Sequence, residues 1–143
     1  MTHEQIQALA RQYLSAWERG DAAAVARCYS DAARVDSPMF HTVIGRESIE
    51  KSFVDLFRGL ANWQFTIEDI VIDTTEPARA VLVLTTHAAH VGELFGFRGT
   101  GRRVSARTVL SLRFDGDRIS SEMRLYDFTG LLVQLGVLKA KGG

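Results

Sequence analysis

Polar and apolar positions along the chain recur with a helical period in its first part and a strand period in its second. In "THEQIQALARQYLSAWERGD", Ile6, Leu9, Ala10, Tyr13, Leu14 and Trp17 return at steps of three and four. That spacing predicts one helix with a single buried stripe, opened by Thr2 as N-cap and closed by Gly20. Asp21 caps a second, short helix expected to run to about Tyr29. "ARVDSPMFHTVIG" reads as an extended piece, and Pro38 is disfavoured in a central strand position. "GRESIEKSFVDLFRGL" predicts a third helix with Ile49, Phe53, Leu56 and Phe57 inward. From there "WQFTIEDIVID", "ARAVLVLTTHAAHVG", "RRVSARTVLSLRF" and "DRISSEMRLYD" predict four strands. "FRGTG" and Asp115-Gly116-Asp117 supply turns between them. Consecutive hairpins imply a curled antiparallel sheet, so the fold class is α+β, with three N-terminal helices covering one sheet face.

Within "VSARTVLSLRF" the alternation is regular. Val104, Ala106, Thr108, Leu110, Leu112 and Phe114 fall on one side, with Ser105, Arg107, Val109, Ser111 and Arg113 on the other. The last strand is different. Ile119, Met123 and Leu125 form its oily side, and Ser120, Glu122, Arg124 and Tyr126 its polar side, before Asp127 leads into the apolar helical tail "TGLLVQLG". The question is whether that polar side meets water or lines a pocket.

Composition narrows the function. The 143 residues fit one domain, residues 1–143, with no linker, repeat or low-complexity tract. Seventeen basic residues balance seventeen acidic ones, so no global field draws nucleic acid or an anionic membrane. The short cluster Arg102, Arg103 and Arg107 reads as a solvated face. No apolar run reaches the roughly 20 residues of a membrane span. The start, with Glu4, Gln5 and Gln7, lacks the apolar core of a signal peptide, so a cytoplasmic location is expected. The single cysteine, Cys28, excludes an internal disulfide or a multi-cysteine zinc site. His87 and His90 stand three apart on a strand and point to opposite faces, so no metal site is expected. "GFRGTG" joins strands rather than opening a helix and reads as a turn, not a phosphate loop.

Each candidate for chemistry also has a structural role open to it. Asp127 suits the cap of the last helix, and Asp36 suits a turn before Ser37-Pro38. His90 suits a hairpin end. Glu122 and Arg124 form either an exposed pair of little worth or a buried pair in which each must be satisfied.

Three segments carry a resemblance: "YLSAWERGDAAAVARCYSDAARVDSP", "HVGELFGFRGTGRR" and "DGDRISSEMRLYDFTGLLVQLGVL". Together they resemble the nuclear transport factor 2-like superfamily of ketosteroid isomerase-like proteins. The second and third are similar to the SnoaL-like polyketide cyclases, with a His-x-Gly-x-x-x-Gly hairpin and an aspartate followed by Gln-Leu-Gly. The resemblance implies a cone with an apolar internal pocket and a homodimer. It implies chemistry without a cofactor on a small apolar carbonyl-bearing molecule, by cyclisation, isomerisation or dehydration. Asp127 or Asp36 would be the base, with raised pKa, and Arg124 and His90 would hold the oxyanion. Tyr13, Trp17, His41, Trp63, Leu110, Glu122 and Tyr126 would bind the ligand. The match also departs from the family. Arg124 stands where the cyclases present their aspartate, and Leu110 where they carry a histidine. Ser37 precedes the proline where the isomerases place their base. The alternative is therefore a non-catalytic binding or dimerisation module of the same fold. A closed Glu122–Arg124 pair with no adjoining cavity would favour that alternative, and a cavity of about 300–1,000 Å³ with unpaired polar tips would favour a small-molecule site.

Overall fold

The computed structural model describes residues 1–139. The first helix, α1 (His3–Glu18), opens on a capping box. The Thr2 side chain accepts the Gln5 N–H at 3.1 Å, and the Gln5 side chain accepts the Thr2 N–H at 2.8 Å. Its predicted stripe is buried apart from Leu9, which is half-buried. Asp21 caps α2 (Ala22–Arg27) through the Ala24 N–H. That helix stops before Tyr29, which instead begins β1 (Tyr29–Ser37). Pro38 ends β1 and falls in the turn to β2 (His41–Ile44). Helix α3 (Arg46–Gly59) buries Ile49, Phe53 and Leu56.

The remaining elements are β3 (Leu60–Asp73), β4 (Arg79–His90), β5 (Arg103–Asp115), β6 (Arg118–Leu125) and α4 (Phe128–Gln134). One six-stranded sheet runs β2-β1-β6-β5-β4-β3. Every neighbouring pair is antiparallel except β1 and β6, which run parallel. The four strands expected from the sequence form the curled antiparallel part of the α+β fold, and the sheet becomes mixed only where β1 joins β6. The pairing joins residues some ninety positions apart, so no local turn signal announces it. Gly116, with φ of 58°, sits in the tight turn between Asp115 and Arg118.

The sheet's inner face meets α1 and α3. Val104, Thr108, Leu110, Leu112 and Phe114 of β5 are buried there as the alternation predicts. On β6 a one-residue bulge changes the pattern. Phe114 pairs with Ile119, Arg113 with Ser121 and Leu112 with Glu122, leaving Ser120 without a partner in the ladder. Ile119 is thereby buried with Glu122 and Arg124, while Met123 and Leu125 are about half exposed on the outer face. Grouping Ile119 with Met123 and Leu125 is thus corrected, because the extra residue switches its side. The strand turns its charges inward and its oil outward.

Candidate functional site

Glu122 and Arg124 lie two apart on β6, so their side chains leave the same face. Their row neighbours are apolar: Leu112 and Val35 beside Glu122, Leu110 beside Arg124. Charges in such surroundings persist only when paired and hydrogen-bonded. The fold supplies the partners. Arg124 Nε donates to Glu122 Oε2. The Tyr13 and Tyr29 hydroxyls each lie 2.6 Å from Glu122 Oε1 and 2.7 Å from one another. Two phenolic protons thus serve three short oxygen contacts. Arg124 also reaches the Tyr29 hydroxyl at 3.4 Å, and its guanidinium carbon lies 4.9 Å from the Trp17 ring centroid and 4.8 Å from that of Phe53.

Burial pushes the Tyr13 and Tyr29 hydroxyls well above the usual phenol range, and the Glu122 charge adds to it. Burial is the largest single influence on Arg124 and pulls in the opposite sense, but the Glu122 charge, the two tyrosines and the Glu122 hydrogen bond together outweigh it and hold the guanidinium protonated. The four side chains form an ordered dipole. Its carboxylate end is tied to the two tyrosines, and its cationic end reaches a cavity.

That cavity is lined by Trp17, Met39, Leu60, Trp63, Phe65, Thr86, Val104, Thr108, Leu110, Arg124, Tyr126 and Leu131, among others. The cavity volume is about 60 Å³. The space is narrow beside the ~300–1,000 Å³ of ligand clefts. The pair is closed, as the non-catalytic alternative expects, while the cavity that adjoins it falls short of the size expected of a small-molecule site. The walls are mainly apolar. Thr86 and Thr108 bond one another at 3.0 Å. Tyr126, pushed up to about 12 chiefly by burial and opposed by Arg124, remains a proton donor at neutral pH. The Trp63 Nε1–H donates to the Leu60 carbonyl at 3.0 Å, whereas the Trp17 Nε1–H is buried with no hydrogen-bond partner among the described residues. An unmet buried donor costs about 1–3 kcal/mol.

Of the residues singled out in the sequence, the structure brings Trp17, Trp63, Leu110, Arg124 and Tyr126 to the cavity wall. Tyr13 and Glu122 stand behind Arg124 in the buried network. The proposed bases are elsewhere. Asp127 is exposed and caps α4, accepting the Gly130 N–H at 2.8 Å. Asp36 points outward, across β1 from the buried Val35 and Ser37. It is held by Arg34 at 3.0 Å and Thr42 at 2.6 Å. Those two hydrogen bonds, Arg34's first, lower its pKa, the reverse of the rise expected of a base in a dry pocket. His41 is exposed. His90 is fully buried but does not line the cavity; its Nδ1 faces the Thr100 hydroxyl at 3.1 Å and accepts the Thr100 N–H at 3.3 Å. Ser37 accepts the Phe40 N–H. Tyr29 also belongs to this network, and the sequence, which places it at the end of α2, carries no local mark of that role.

The family model described as SnoaL-like polyketide cyclase matches residues 7–135. The chain belongs to this family. Among solved structures, the SnoaL-like fold recurs in TsrD from Streptomyces laurentii, 22% identical with a TM-score of 0.81, covering 96% of this chain and 99% of that one. AclR from Streptomyces galilaeus, a candidate hydroxylase, is 26% identical with a TM-score of 0.79, covering 98% and 89%. A candidate SnoaL-like polyketide cyclase from Shewanella denitrificans OS-217 is 24% identical with a TM-score of 0.78, covering 96% and 100%. No curated protein matches the sequence. No helix among the described residues is long and apolar enough to cross a membrane.

Proposed function

We propose that this SnoaL-like protein binds a small, largely apolar carbonyl compound of the polyketide type and favours its enolate, as a cyclase or isomerase would. The observation that carries this reading is a permanently charged guanidinium in the wall of an apolar cavity. Fixed donors in a water-poor site stabilise developing oxyanions more than water does. Arg124 would hold the oxygen and Tyr126 would supply a proton. Neither Asp127 nor Asp36 takes part. Glu122 is held by Arg124 and two tyrosines, so no carboxylate is free to remove the proton. The proton then leaves to solvent or to a basic group of the substrate, which suits readily ionised compounds such as 1,3-dicarbonyls.

Hydrogen–deuterium exchange at C2 of 2-carbethoxy-1-tetralone, a 1,3-dicarbonyl, in D₂O tests the proposal. The protein should accelerate exchange, and the Glu122→Leu/Arg124→Leu double variant, which leaves no charge unpaired, should not. Acceleration equal in both proteins would refute the role of Arg124. The closed ion pair and narrow cavity favour a second reading, a non-catalytic binding module. Saturable binding of 2-carbethoxy-1-tetralone without any change in exchange rate would select it.

The outward turn of β6 supports a homodimer as part of the same proposal. In cross-strand register, Val71, Val81, Ser111 and Met123 form one row on the outer face, and Val83, Val109 and Leu125 the next, which Asp69 ends on β3. Val71, Met123 and Leu125 are each about half exposed or more. A contiguous apolar face of this kind commonly marks an association surface.

A further inference from the structure

Trp17 and Trp63 line the same cavity, yet the fold treats their N–H groups differently. The Trp63 donor is matched with the Leu60 carbonyl. The Trp17 donor is buried and unmatched among the described residues, although the side chain is only 5% exposed. An indole nitrogen donates and never accepts, so only an acceptor can satisfy it. The ring has little freedom to find one. Phe53, Trp63, Phe65 and Tyr13 contact it edge to face, with centroids at 4.9, 5.4, 5.4 and 5.8 Å. None of these neighbours gives the Trp17 N–H a hydrogen-bond acceptor. Arg124, 4.9 Å from the Trp17 centroid, is also a donor. Trp17 and Arg124 thus both line the cavity as donor-bearing side chains, and neither can supply the acceptor the Trp17 N–H needs.

We infer that the Trp17 Nε1–H is a specificity-determining donor, completed by a carbonyl oxygen of the bound molecule beside the Arg124 guanidinium. This deepens the proposed function and rests on it. It adds a requirement that charge at Arg124 does not impose: the molecule must carry a neutral acceptor oxygen on its ring system, as aromatic ketones and quinones do. Sites built to satisfy a buried polar group discriminate against analogues that lack its partner.

The test compares 1-tetralone with tetralin, which have the same bicyclic skeleton with and without the carbonyl. The chain contains two tryptophans, so the ¹⁵N-labelled protein gives two indole N–H signals. Adding 1-tetralone should move the Trp17 signal downfield and leave the Trp63 proton's hydrogen bond unaltered. Tetralin should shift both signals only by ring-current effects. Trp17→Phe keeps an aromatic ring and removes the donor. It should reduce the preference for ketone over hydrocarbon by roughly three- to tenfold, the worth of one net hydrogen bond. Packing losses from the smaller ring affect both probes and cancel in the ratio. Trp63→Phe assigns the signals independently, so the spectral result stands even if Trp17→Phe fails to fold. A preference that survives in Trp17→Phe, or a Trp17 signal that responds alike to both probes, overturns the inference alone. Binding of neither probe overturns it together with the reading beneath it.

Discussion

Replacing Glu122 by glutamine is the most searching perturbation of this molecule, because shape is kept and only charge and donor pattern change. The carboxylate receives Arg124 on one oxygen and the Tyr13 and Tyr29 hydroxyls on the other. Glutamine offers one acceptor oxygen and two N–H donors. The tyrosine hydroxyls can turn to accept, but the guanidinium cannot, so the amide oxygen must face Arg124. Even in that best arrangement the cation loses its counter-charge while remaining 5% exposed. Breaking a buried pair from one side costs about 3–5 kcal/mol, a large share of the ~5–15 kcal/mol that holds a domain together. With about 2.1 cal/mol/K of unfolding entropy per residue, 143 residues give about 0.3 kcal/mol/K, so Tm should fall by roughly 10–17 °C.

Urea unfolding followed by circular dichroism supplies the free energies, and a cycle with Glu122→Leu, Arg124→Leu and the double variant isolates the pair. The double variant buries two well-matched apolar side chains and should be much less unstable than the two single changes summed. The reasoning is refuted by a Glu122→Gln loss below about 1 kcal/mol, the range of exposed pairs. It is refuted equally by a double variant whose cost is the plain sum of the single ones.

Asp127→Ala should cost about 0.5–2 kcal/mol through the lost cap of α4, while 1-tetralone binding by calorimetry stays unchanged; lost binding at intact fold would restore Asp127 to the site. All three tyrosines are held above their ordinary value, Tyr126 at about 12 and Tyr13 and Tyr29 well above 10. The folded chain therefore keeps protons that the unfolded chain releases, so their contribution is intact below about pH 10 and is lost as pH rises toward and past 12. Absorbance at 295 nm should show no tyrosinate step at about pH 10, and the eventual rise should coincide with loss of near-ultraviolet dichroism; a separate step in folded protein would contradict the burial of this network. Met123→Asp combined with Leu125→Asp should convert a dimer to a monomer in analytical ultracentrifugation at unchanged secondary structure, and an unaltered dimer would place the interface elsewhere.

The elements were legible where one period dominated. The stripe from Ile6 to Trp17 and the alternation from Val104 to Phe114 each have one buried side, so pattern and burial coincide. On β6 the pattern alone misleads, since oil normally faces inward. The inward turn of Glu122 and Arg124 followed from the family resemblance, and the bulge at Ser120 that moves Ile119 had no local mark. Tyr29 was hidden for a related reason. Its value lies in a partner 93 positions away, and nothing next to it in sequence records that contact. Asp36 and Asp127 erred in the other direction. A carboxylate is a suitable base by type, but Arg34 and Thr42 claim the first and the α4 N-terminus claims the second. Residue type nominates a group for chemistry, and local hydrogen bonding decides whether it is free.

The reversed strand ties these threads into one physical problem. Strand β6 turns charge toward the core and apolar side chains toward the outside, against the direction that hydrophobic burial favours. Each displaced group then needs a separate partner. Tyr13 and Tyr29 meet the demand of Glu122 from α1 and β1, which explains why two phenols lie deep in an otherwise apolar core. Arg124 is met only in part, by Glu122, by the Tyr29 oxygen and by two aromatic faces, and its remaining N–H groups make no hydrogen bond among the described residues. Met123 and Leu125 stay about half exposed among the described residues. A strand serving stability alone would gain more from the opposite orientation. The inversion is intelligible if a bound oxygen completes Arg124 from the cavity and a second subunit covers the outer face, and the two can fail separately: a tight dimer that binds no ketone would leave the cationic end of the network unexplained, and a ketone-binding monomer would leave the oily face so.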